Sequence, residues 1–335
     1  MNGAATVFVL GDLNVDLGLD IGAFPPPGGD AVAHRQRLGF GGSAANTALV
    51  MHRLGVPATL LSCVGADTWG DYSIEQVTHA GIDATHIVRD TGQPTSLNVV
   101  AVTPDGERTM LAYRGASGRY SADFLPTDGL ARARHLHVSG YALLDEPQRS
   151  AAFRAAELVR AGGGTVSLDV PVDPVTAVPE ILWRFLAFVD AVVIGSPEAQ
   201  KLAALGDDPS AAGALAAHGV PLVAIKQGAD GSLLLRDGTL LHVPAHRVEV
   251  LDTTGAGDSY CAGLVVGLLA REPDLHVLGG LANACGTAAV GRTGAGLNLP
   301  GRDSVRDVAR LNRDQAQNGI LRLLDQLVHS VPQAG

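Results

Sequence analysis

Lysine is nearly missing from this chain of 335 residues, in which only Lys201 and Lys226 occur. Acidic residues outnumber basic ones by 34 to 24, so the formal net charge is −10 at pH 7. The sequence has no Lys/Arg block of the kind that follows a phosphate backbone. The composition therefore argues against a nucleic-acid partner and is typical of an acidic surface that serves solubility.

Cysteines and long apolar runs are also scarce. Cys63, Cys261 and Cys285 have neither CxxC spacing nor an even count, and they lie among apolar or small residues, so we expect buried thiols. No run approaches the ~18 apolar residues of a membrane span, and residues 1–10 lack a basic leader segment. These absences predict a cytoplasmic protein without a membrane partner.

Apolar residues make up 46% of the chain and aromatic ones only 4%, whereas glycine occurs 42 times. Strand-like and helix-like runs alternate, which predicts an α/β fold with a mostly parallel sheet and right-handed crossovers. The predicted strands are 6–10, 58–63, 135–138, 165–169, 191–194, 221–225, 232–235 and 240–243. The predicted helices are 43–54, 69–80, 147–161, 177–187, 197–205, 257–270, 274–290 and 315–329.

Two segments depart from this alternation. IGAFPPPGGD, near residue 25, is too rich in Pro and Gly for a core element. TSLNVVAVT and RTMLAY, joined by PDGE, form a hairpin signal with no helix between the strands. We therefore predict one large domain over residues 1–335, with a small β excursion built from about 15–40 and 93–115.

The strongest chemical signal is DTTGAGDSYCAG at 252–263, between an apolar strand and a small-residue helix. The Gly-Ala-Gly turn allows backbone N–H groups to converge at the positive end of a helix, which suits a phosphate. Asp258 beside such a turn is a candidate general base for phosphoryl transfer. Two other interpretations are a helix-capping carboxylate and a dinucleotide-binding loop, although the latter requires Gly or Ala where Tyr260 stands.

A second glycine cluster, GFGGSAAN at 39–46, precedes a predicted helix. It suits close approach of a ligand to the backbone, with Asn46 as donor and acceptor, or simply a tight loop with a helix cap. Asn14 and Asp16 follow the first strand, at the edge of a parallel sheet where ligands gather. Asp16 lies in an apolar neighbourhood and would need a hydroxyl or a cation to offset its desolvation.

GGSAAN and DTTGAGD, in this order, resemble the two signatures of the ribokinase-like (PfkB) carbohydrate kinases, and the resemblance spans nearly the whole chain. It implies a three-layer sandwich with a small β lid, through which members often form dimers. It also implies ATP and Mg²⁺ as cofactors, and K⁺ in some members.

The resemblance assigns roles to several groups of residues. Asp258 would be the base, with the Gly255, Ala256 and Gly257 amides at the transferring phosphoryl group. The remaining implied contacts are Asn14, Asp16, Gly41, Gly42 and Asn46 for sugar hydroxyls; Lys226, Gly228, Gly231, Asn283 and Glu198 for the nucleotide and its magnesium; and Asp252, Thr254, Ala289, Arg292, Gly294 and Asn298 for a monovalent cation, mainly through backbone carbonyls.

Three positions differ from the family pattern. Gly195 stands where an Asn is usual in the Asn-x-x-Glu element near magnesium, and only Glu198 is kept. Ser43 replaces the lysine of ribokinase-type enzymes, which favours an uncharged substrate over a phosphorylated sugar. Of the usual Asp-x-Asn run, only Asp169 is present.

Other polar residues have two interpretations each. Arg108 and Arg114, near the hairpin, would reach a substrate carboxylate or phosphate, or lie in solvent. His135 and His137 share one face of a predicted strand, but without a nearby third ligand we expect them to pack in the sheet rather than bind metal.

The sequence thus predicts ATP-dependent phosphorylation of a primary hydroxyl of a small sugar of the ribose, fructose or keto-deoxy type. The alternatives are a nucleoside kinase of the same family, for which Phe24, Tyr113 and Tyr141 would line a base pocket, and a sugar-binding sensor without catalysis. A nicotinamide-dependent oxidoreductase is disfavoured by the glycine spacing.

Overall fold

The computed structural model describes residues 7–105, 107–311 and 316–329. Its centre is a nine-stranded sheet with the order β13-β12-β11-β10-β9-β8-β1-β4-β5. All neighbouring strands pair in parallel except β11 with β12 and β12 with β13. The strands are β1 Val7–Leu10, β4 Ala58–Gly65, β5 Ile87–Asp90, β8 His135–Ser139, β9 Thr165–Val170, β10 Ala191–Gly195, β11 Leu222–Lys226, β12 Ser232–Arg236 and β13 Thr239–Val243.

Helices cover both faces of this sheet and complete a three-layer sandwich. Alternate residues of β1 point to opposite layers, so that Val7 and Val9 pack in one core and Phe8 and Leu10 in the other. The α-helices are α1 Ser43–Arg53, α2 Thr68–His79, α3 Thr127–Leu130, α4 Gln148–Ala161, α5 Val172–Ala177, α6 Pro179–Leu186, α7 Ser196–Ala203, α8 Asp208–Ala217, α9 Ala256–Leu269, α10 Leu275–Val290, α11 Arg302–Leu311 and α12 Gln317–His329.

A separate four-stranded sheet has the order β3-β2-β6-β7. Its strands are β2 Asn14–Ile21, β3 Ala33–Gly41, β6 Leu97–Val102 and β7 Arg108–Tyr113. Since β2 begins three residues after β1 ends and β3 ends just before α1, this second sheet is attached at the carboxyl edge of the central sheet. The β6–β7 hairpin confirms the predicted one; its turn includes residue 106, which lies outside the described residues.

Most predicted elements are present, but four helices were not expected. The predicted helix 177–187 is present as α6, which Pro179 starts, but the separate short helix α5 before it was not expected. The Ala-rich helix α8 shows no contrast between its faces, so periodicity could not reveal it. The short helix α3 and the strongly amphipathic α11 were also missed. Positions 6 and 315, assigned to the first strand and last helix, lie outside the described residues.

Two further expectations concern burial. All three cysteines are free and buried, as predicted. Within the described part of the chain, no helix combines the length and apolar character needed to cross a bilayer.

The position of α1 depends on its buried face, so we expect Leu49→Ala to lower the free energy of unfolding by about 2–5 kcal/mol. Leu49 belongs to α1 and is fully buried in the hydrophobic core that this helix shares with its neighbours. Urea denaturation measures the change. Leu205→Ala, in which the side chain is 41% exposed, is the matched control and should cost much less; equal costs would contradict the packing described here.

Candidate active site

The N-terminus of α9 forms a turn that suits an anion. Gly255 precedes the helix in the left-handed conformation, with φ 73°. A Cβ atom at this position would lie 2.5 Å from Leu299 Cδ2, so only glycine fits without displacement. Ala256 and Gly257 start the helix, and their N–H groups stand at the positive end of its dipole.

Asp258 lies in the first turn of α9 and is held by the first turn of α1. Ser43 Oγ donates to Asp258 Oδ1 at 2.8 Å, and Asn46 Nδ2 donates to Oδ2 at 2.8 Å. Asn46 Oδ1 also accepts from Gly296 N at 3.2 Å. The two glycine-rich motifs, far apart in sequence, therefore meet at one carboxylate.

The surroundings of Asp258 change its acidity. Burial, together with the nearby Asp169 carboxylate, raises the pKa of Asp258 to about 7, and the hydrogen bonds from Asn46 and Ser43 only partly offset this. A group with this pKa is able to accept a proton near neutral pH. The capping interpretation is not supported by the contacts, since no hydrogen bond from a side chain caps the start of α9.

Asp12 is a site residue that the sequence analysis missed. It is buried, and its carboxylate accepts from the backbone N–H groups of Ser43 and Ala44 at 3.1 and 3.3 Å and from Asn14 Nδ2 at 3.2 Å. It therefore satisfies the free donors at the start of α1, beside Gly42 with φ 101°. The sequence signal that could have identified Asp12 was its position two residues after the end of β1.

Asp16 and Asn98 are paired residues of the adjacent strands β2 and β6. Asn98 Nδ2 donates to Asp16 Oδ1 at 2.9 Å. Burial raises the pKa of Asp16 to about 6, against the lowering effect of Asn98. The carboxylate lies over Gly41, where a Cβ would approach Asp16 Oδ2 to 2.0 Å. Asn98, within the hairpin signal, was not singled out from the sequence.

A buried ion pair stands at the ends of β9 and β11. Lys226 Nζ donates to Asp169 Oδ1 at 2.9 Å. Although burial disfavours the charged amine, Asp169 raises the pKa of Lys226 above its usual value. Lys226 Nζ also lies 3.2 Å from where a Cβ of Gly257 would stand, so a fixed positive charge borders the glycine turn.

Glu198 occupies the space left by the absent side chain at Gly195. A Cβ built on Gly195 would lie only 2.0 Å from Glu198 Oε2. An asparagine at position 195 would require this carboxylate to move. The replacement of the usual asparagine by Gly195 is therefore coupled to the position of the Glu198 carboxylate.

Arg108 of β7 contacts the turn that precedes the glycines. Its guanidinium donates to Asp252 Oδ1 at 2.7 Å and to the hydroxyls of Thr253 and Thr254. Asp252 also accepts from Thr254 N and Gly294 N, each at 2.8 Å. Burial alone would raise the pKa of Asp252, but these hydrogen bonds and Arg108 lower it. Arg108 thus links the second sheet to the site.

The expected nucleotide turn and cation loop lie beside α9 and α10. Gly228 and Gly231 have φ of 60° and 102° in the turn between β11 and β12. Asn283 Nδ2 donates to the carbonyls of Val243 and Pro244, at 2.9 and 3.2 Å, so Asn283 holds the end of β13 against α10. The Ala289 carbonyl accepts from Arg292 N at 3.0 Å. Gly294 and Asn298 line a cavity of about 100 Å³ together with Asp16 and Arg108.

Other singled-out residues lie away from Asp258. Arg114 pairs with Asp145 and donates to the Tyr141 carbonyl, both at 3.0 Å. His135 and His137 are buried in the sheet, where both share Ser167 Oγ, in agreement with the packing interpretation. Phe24 and Tyr113 are each 48% exposed, so neither lines a closed pocket.

Comparison with known proteins identifies the family. The model of the pfkB family carbohydrate kinases matches residues 4–302. The chain belongs to the PfkB family.

Named relatives of this PfkB protein are sugar and riboside kinases. It is 34% identical to a fructokinase of Klebsiella pneumoniae over 91% of this chain and 99% of the relative. It is 31% identical to an aminoimidazole riboside kinase of Salmonella typhimurium over 89% and 93% of the two chains. The expected carbohydrate-kinase activity is confirmed at this level.

Solved structures confirm the ribokinase-like fold. A candidate ribokinase II from E. coli, crystallised with ATP and Mg²⁺, superposes on the PfkB chain with a TM-score of 0.81 at 25% identity. The match covers 92% of this chain and all of the other.

The glycine turn generates a prediction. Gly255→Ala should weaken ATP binding at least tenfold, because its Cβ would displace Leu299 and shift the amides of the turn. Isothermal titration with a non-hydrolysable ATP analogue measures the effect.

Gly238→Ala is the matched control, since Gly238 has a similar φ of 75° but no atom within 4 Å of its Cβ position. Both variants carry the same backbone strain of about 1–2 kcal/mol. Normal nucleotide affinity in Gly255→Ala would show that the turn does not hold the phosphates.

Proposed function

We propose that this PfkB kinase transfers the γ-phosphoryl group of ATP to a primary hydroxyl of a neutral sugar, with Asp258 as the general base. The observation that carries the proposal is the position of the Asp258 carboxylate, between the first turns of α1 and α9 and beside the Gly255 turn. A substrate hydroxyl that replaces Ser43 or Asn46 at this carboxylate is oriented and loses its proton to it. The amides of the turn stabilise charge on the phosphoryl oxygens.

The residues present fit a nucleotide tail. The Gly255–Ala256–Gly257 amides offer donors, and Lys226 supplies a fixed positive charge next to them. The Asp169–Lys226 pair keeps that amine charged, because its partner carboxylate is buried with it. Gly228, in the turn after β11, has no atom within 4 Å of its Cβ position and would leave room for the rest of the nucleotide, whereas Gly231 permits close packing of the Val243 carbonyl.

Magnesium would be held by few protein groups. Among the described residues, no cluster of three or more His, Cys, Asp or Glu side chains could bind a metal ion. This agrees with Mg²⁺ chemistry, in which one or two carboxylates and the phosphates of the nucleotide suffice. Glu198 is the carboxylate we assign to it, and the ion would supply charge neutralisation at the phosphates.

A monovalent cation fits less well. The resemblance implies a K⁺ loop of Asp252, Thr254, Ala289, Arg292, Gly294 and Asn298, mainly through backbone carbonyls. The Arg108 guanidinium already binds the side chains of Asp252 and Thr254. In this arrangement Asp252 has a cationic partner from the chain itself. We therefore propose no step that uses K⁺.

The substrate side favours a neutral molecule rich in hydroxyls. Asp12, Asp16 and Asp258 are carboxylates at the carboxyl edge of the sheet, and Asp169 adds to their field at Asp258. Carboxylates accept from sugar hydroxyls and repel a sugar acid or a sugar phosphate. Together with the fructokinase relative, this supports a free hexose or pentose over an acidic keto-deoxy sugar.

A riboside remains the second candidate. The aminoimidazole riboside kinase relative supports it, as does Tyr141, whose phenol lies near Asp12 and Asp258 and whose ring carries Arg114 at 6.0 Å. A small heterocycle could stack on that ring.

The second sheet is proposed as a lid. It carries Asp16, Asn98 and Arg108 to the site, so closure would exclude water from phosphoryl transfer. On β7, Met110 and Leu111 are 59% and 61% exposed, which supports association of two lids in a homodimer. One domain over the chain, a cytoplasmic location and the lack of a nucleic-acid partner stay predictions.

For Asp258 we expect a pH-dependent activity. Since the base must be deprotonated and its pKa lies at about 7, kcat/KM for the sugar should fall tenfold per pH unit below that value and level off above it. Asp258→Asn should lose about 10²–10⁴-fold in turnover and keep nucleotide affinity. Steady-state kinetics from pH 5.5 to 9, with nucleotide titrations, provide both quantities.

Asp128→Asn, on an exposed surface position of α3, removes a carboxylate of the same type and should behave as wild type. Substantial turnover by Asp258→Asn would sink the assignment of the base.

The substrate class is tested by ADP release with ribose, fructose, aminoimidazole riboside, adenosine, inosine, cytidine and 2-keto-3-deoxygluconate, with and without K⁺. We expect the highest kcat/KM with a neutral sugar, and a value at least tenfold lower with the acid. A preference for 2-keto-3-deoxygluconate would contradict the electrostatic argument; a preference for a riboside would select the second candidate.

A further inference from the structure

A cleft of about 850 Å³ lies at the C-terminal end of α1, away from Asp258. We name it the arginine cleft because Arg53, Arg292 and Arg302 line it. His52, Asp303 and Ser304 are also in its wall. Three guanidinium groups on one concave surface are unusual in a chain with a net charge of −10.

These three arginines have few partners. Arg53 donates to the carbonyls of Leu297 and Leu299, Arg302 to the carbonyl of Leu54 at 3.0 Å, and Arg292 to Ser304 Oγ at 2.7 Å. Within residues 7–105, 107–311 and 316–329 none of them forms an ion pair with a carboxylate, although Arg306 and Arg310 of α11 do so with Asp325 and Asp307. Most of their five N–H donors each are thus available to a ligand.

The electrostatics of the cleft agree with the availability of these N–H donors to a ligand. Burial and the nearby Arg292 lower the pKa of Arg53, and burial and Arg53 lower the pKa of His52. Like charges are therefore close together without a compensating anion. Arg292 also borders a second depression of about 380 Å³ that is lined by Arg35 and Arg37, which extends the positive surface.

We propose that the arginine cleft binds a small phosphate-bearing anion at a second site, separate from the site that contains Asp258. Guanidinium groups bind phosphate oxygens through pairs of parallel N–H bonds, and three of them suit a dianion or a diphosphate. The start of α11 at Arg302 adds a helix N-terminus to the same wall. One carboxylate, Asp303, does not offset three positive charges.

The cleft is connected to the active site through residues 291–299. Arg53 holds the Leu299 carbonyl, while the Leu299 side chain packs against Gly255 of the phosphate turn. Gly296, in the same segment, donates to Asn46, which holds Asp258. An anion that fixes Arg53 and Arg292 would fix this segment, so we expect it to raise the affinity for ATP.

The test uses pyrophosphate as the probe. The full chain is loaded with one equivalent of a non-hydrolysable ATP analogue, at a protein concentration above its dissociation constant, and titrated calorimetrically with pyrophosphate at constant ionic strength. We expect one further binding event in wild type, weakened at least fivefold by Arg292→Gln and by Arg302→Gln. Analogue affinity should rise twofold or more when pyrophosphate is present.

Arg132→Gln is the matched control, since Arg132 is exposed, lies outside the lining of the cleft and of the second depression, and its loss changes the net charge equally. Thermal melting shows whether each variant is folded, and Arg292→Lys, which keeps the charge, should retain part of the affinity. Absence of a second event, or binding that is unchanged in both cleft variants, would overturn the proposal. Neither result bears on catalysis at Asp258, because the titration involves no turnover.

Discussion

The contact between α1 and α9 at Asp258 is the constraint on which the site depends. Ser43 and Asn46 reach this carboxylate at 2.8 Å, so the two helices must begin at the same point. Asp12 holds the start of α1 from the end of β1, and Leu299 holds the Gly255 turn from the other side. A small shift of either helix would separate the Asp258 carboxylate from the Gly255 turn.

Desolvation is the cost of this arrangement. Asp258 lies near Asp169 and Asp12, and burial together with repulsion from these carboxylates raises the pKa of Asp258. Lys226 neutralises Asp169 but not Asp258. The site thus holds a carboxylate whose proton affinity suits transfer at neutral pH, at the expense of local stability. The same carboxylates would repel a negatively charged substrate, so the raised pKa of Asp258 and the proposed preference for a neutral sugar have the same physical cause.

Much of the fold and part of the candidate site were predictable, because they depend on patterns within short stretches of sequence. Alternation of strands and helices gave the central sheet, and the PDGE hairpin gave the second sheet. The glycine turn with its adjacent carboxylate predicted the anion site. Asn98 could not be identified, since it acts through Asp16 on another strand. Asp12 had only its position after β1 as a signal, because its partners at the start of α1 are far along the chain. Helix α8, apolar on all sides, gave no periodic signal. Contacts between residues far apart in the sequence, unlike helix and strand propensities, cannot be predicted from a short window of sequence.

Gly195 shows why one position cannot be judged alone. From the sequence alone, Gly195 in place of the usual asparagine was only a departure from the family pattern near magnesium. In the structure Glu198 folds back into the volume that a side chain at 195 would take. Gly195 therefore permits a different position of the same carboxylate, and the loss of one polar group is coupled to the placement of another. The Asp169–Lys226 pair joins strands β9 and β11, which lie on either side of β10, so the proposed phosphate side of the site keeps a carboxylate and an amine next to Glu198 at the end of β10.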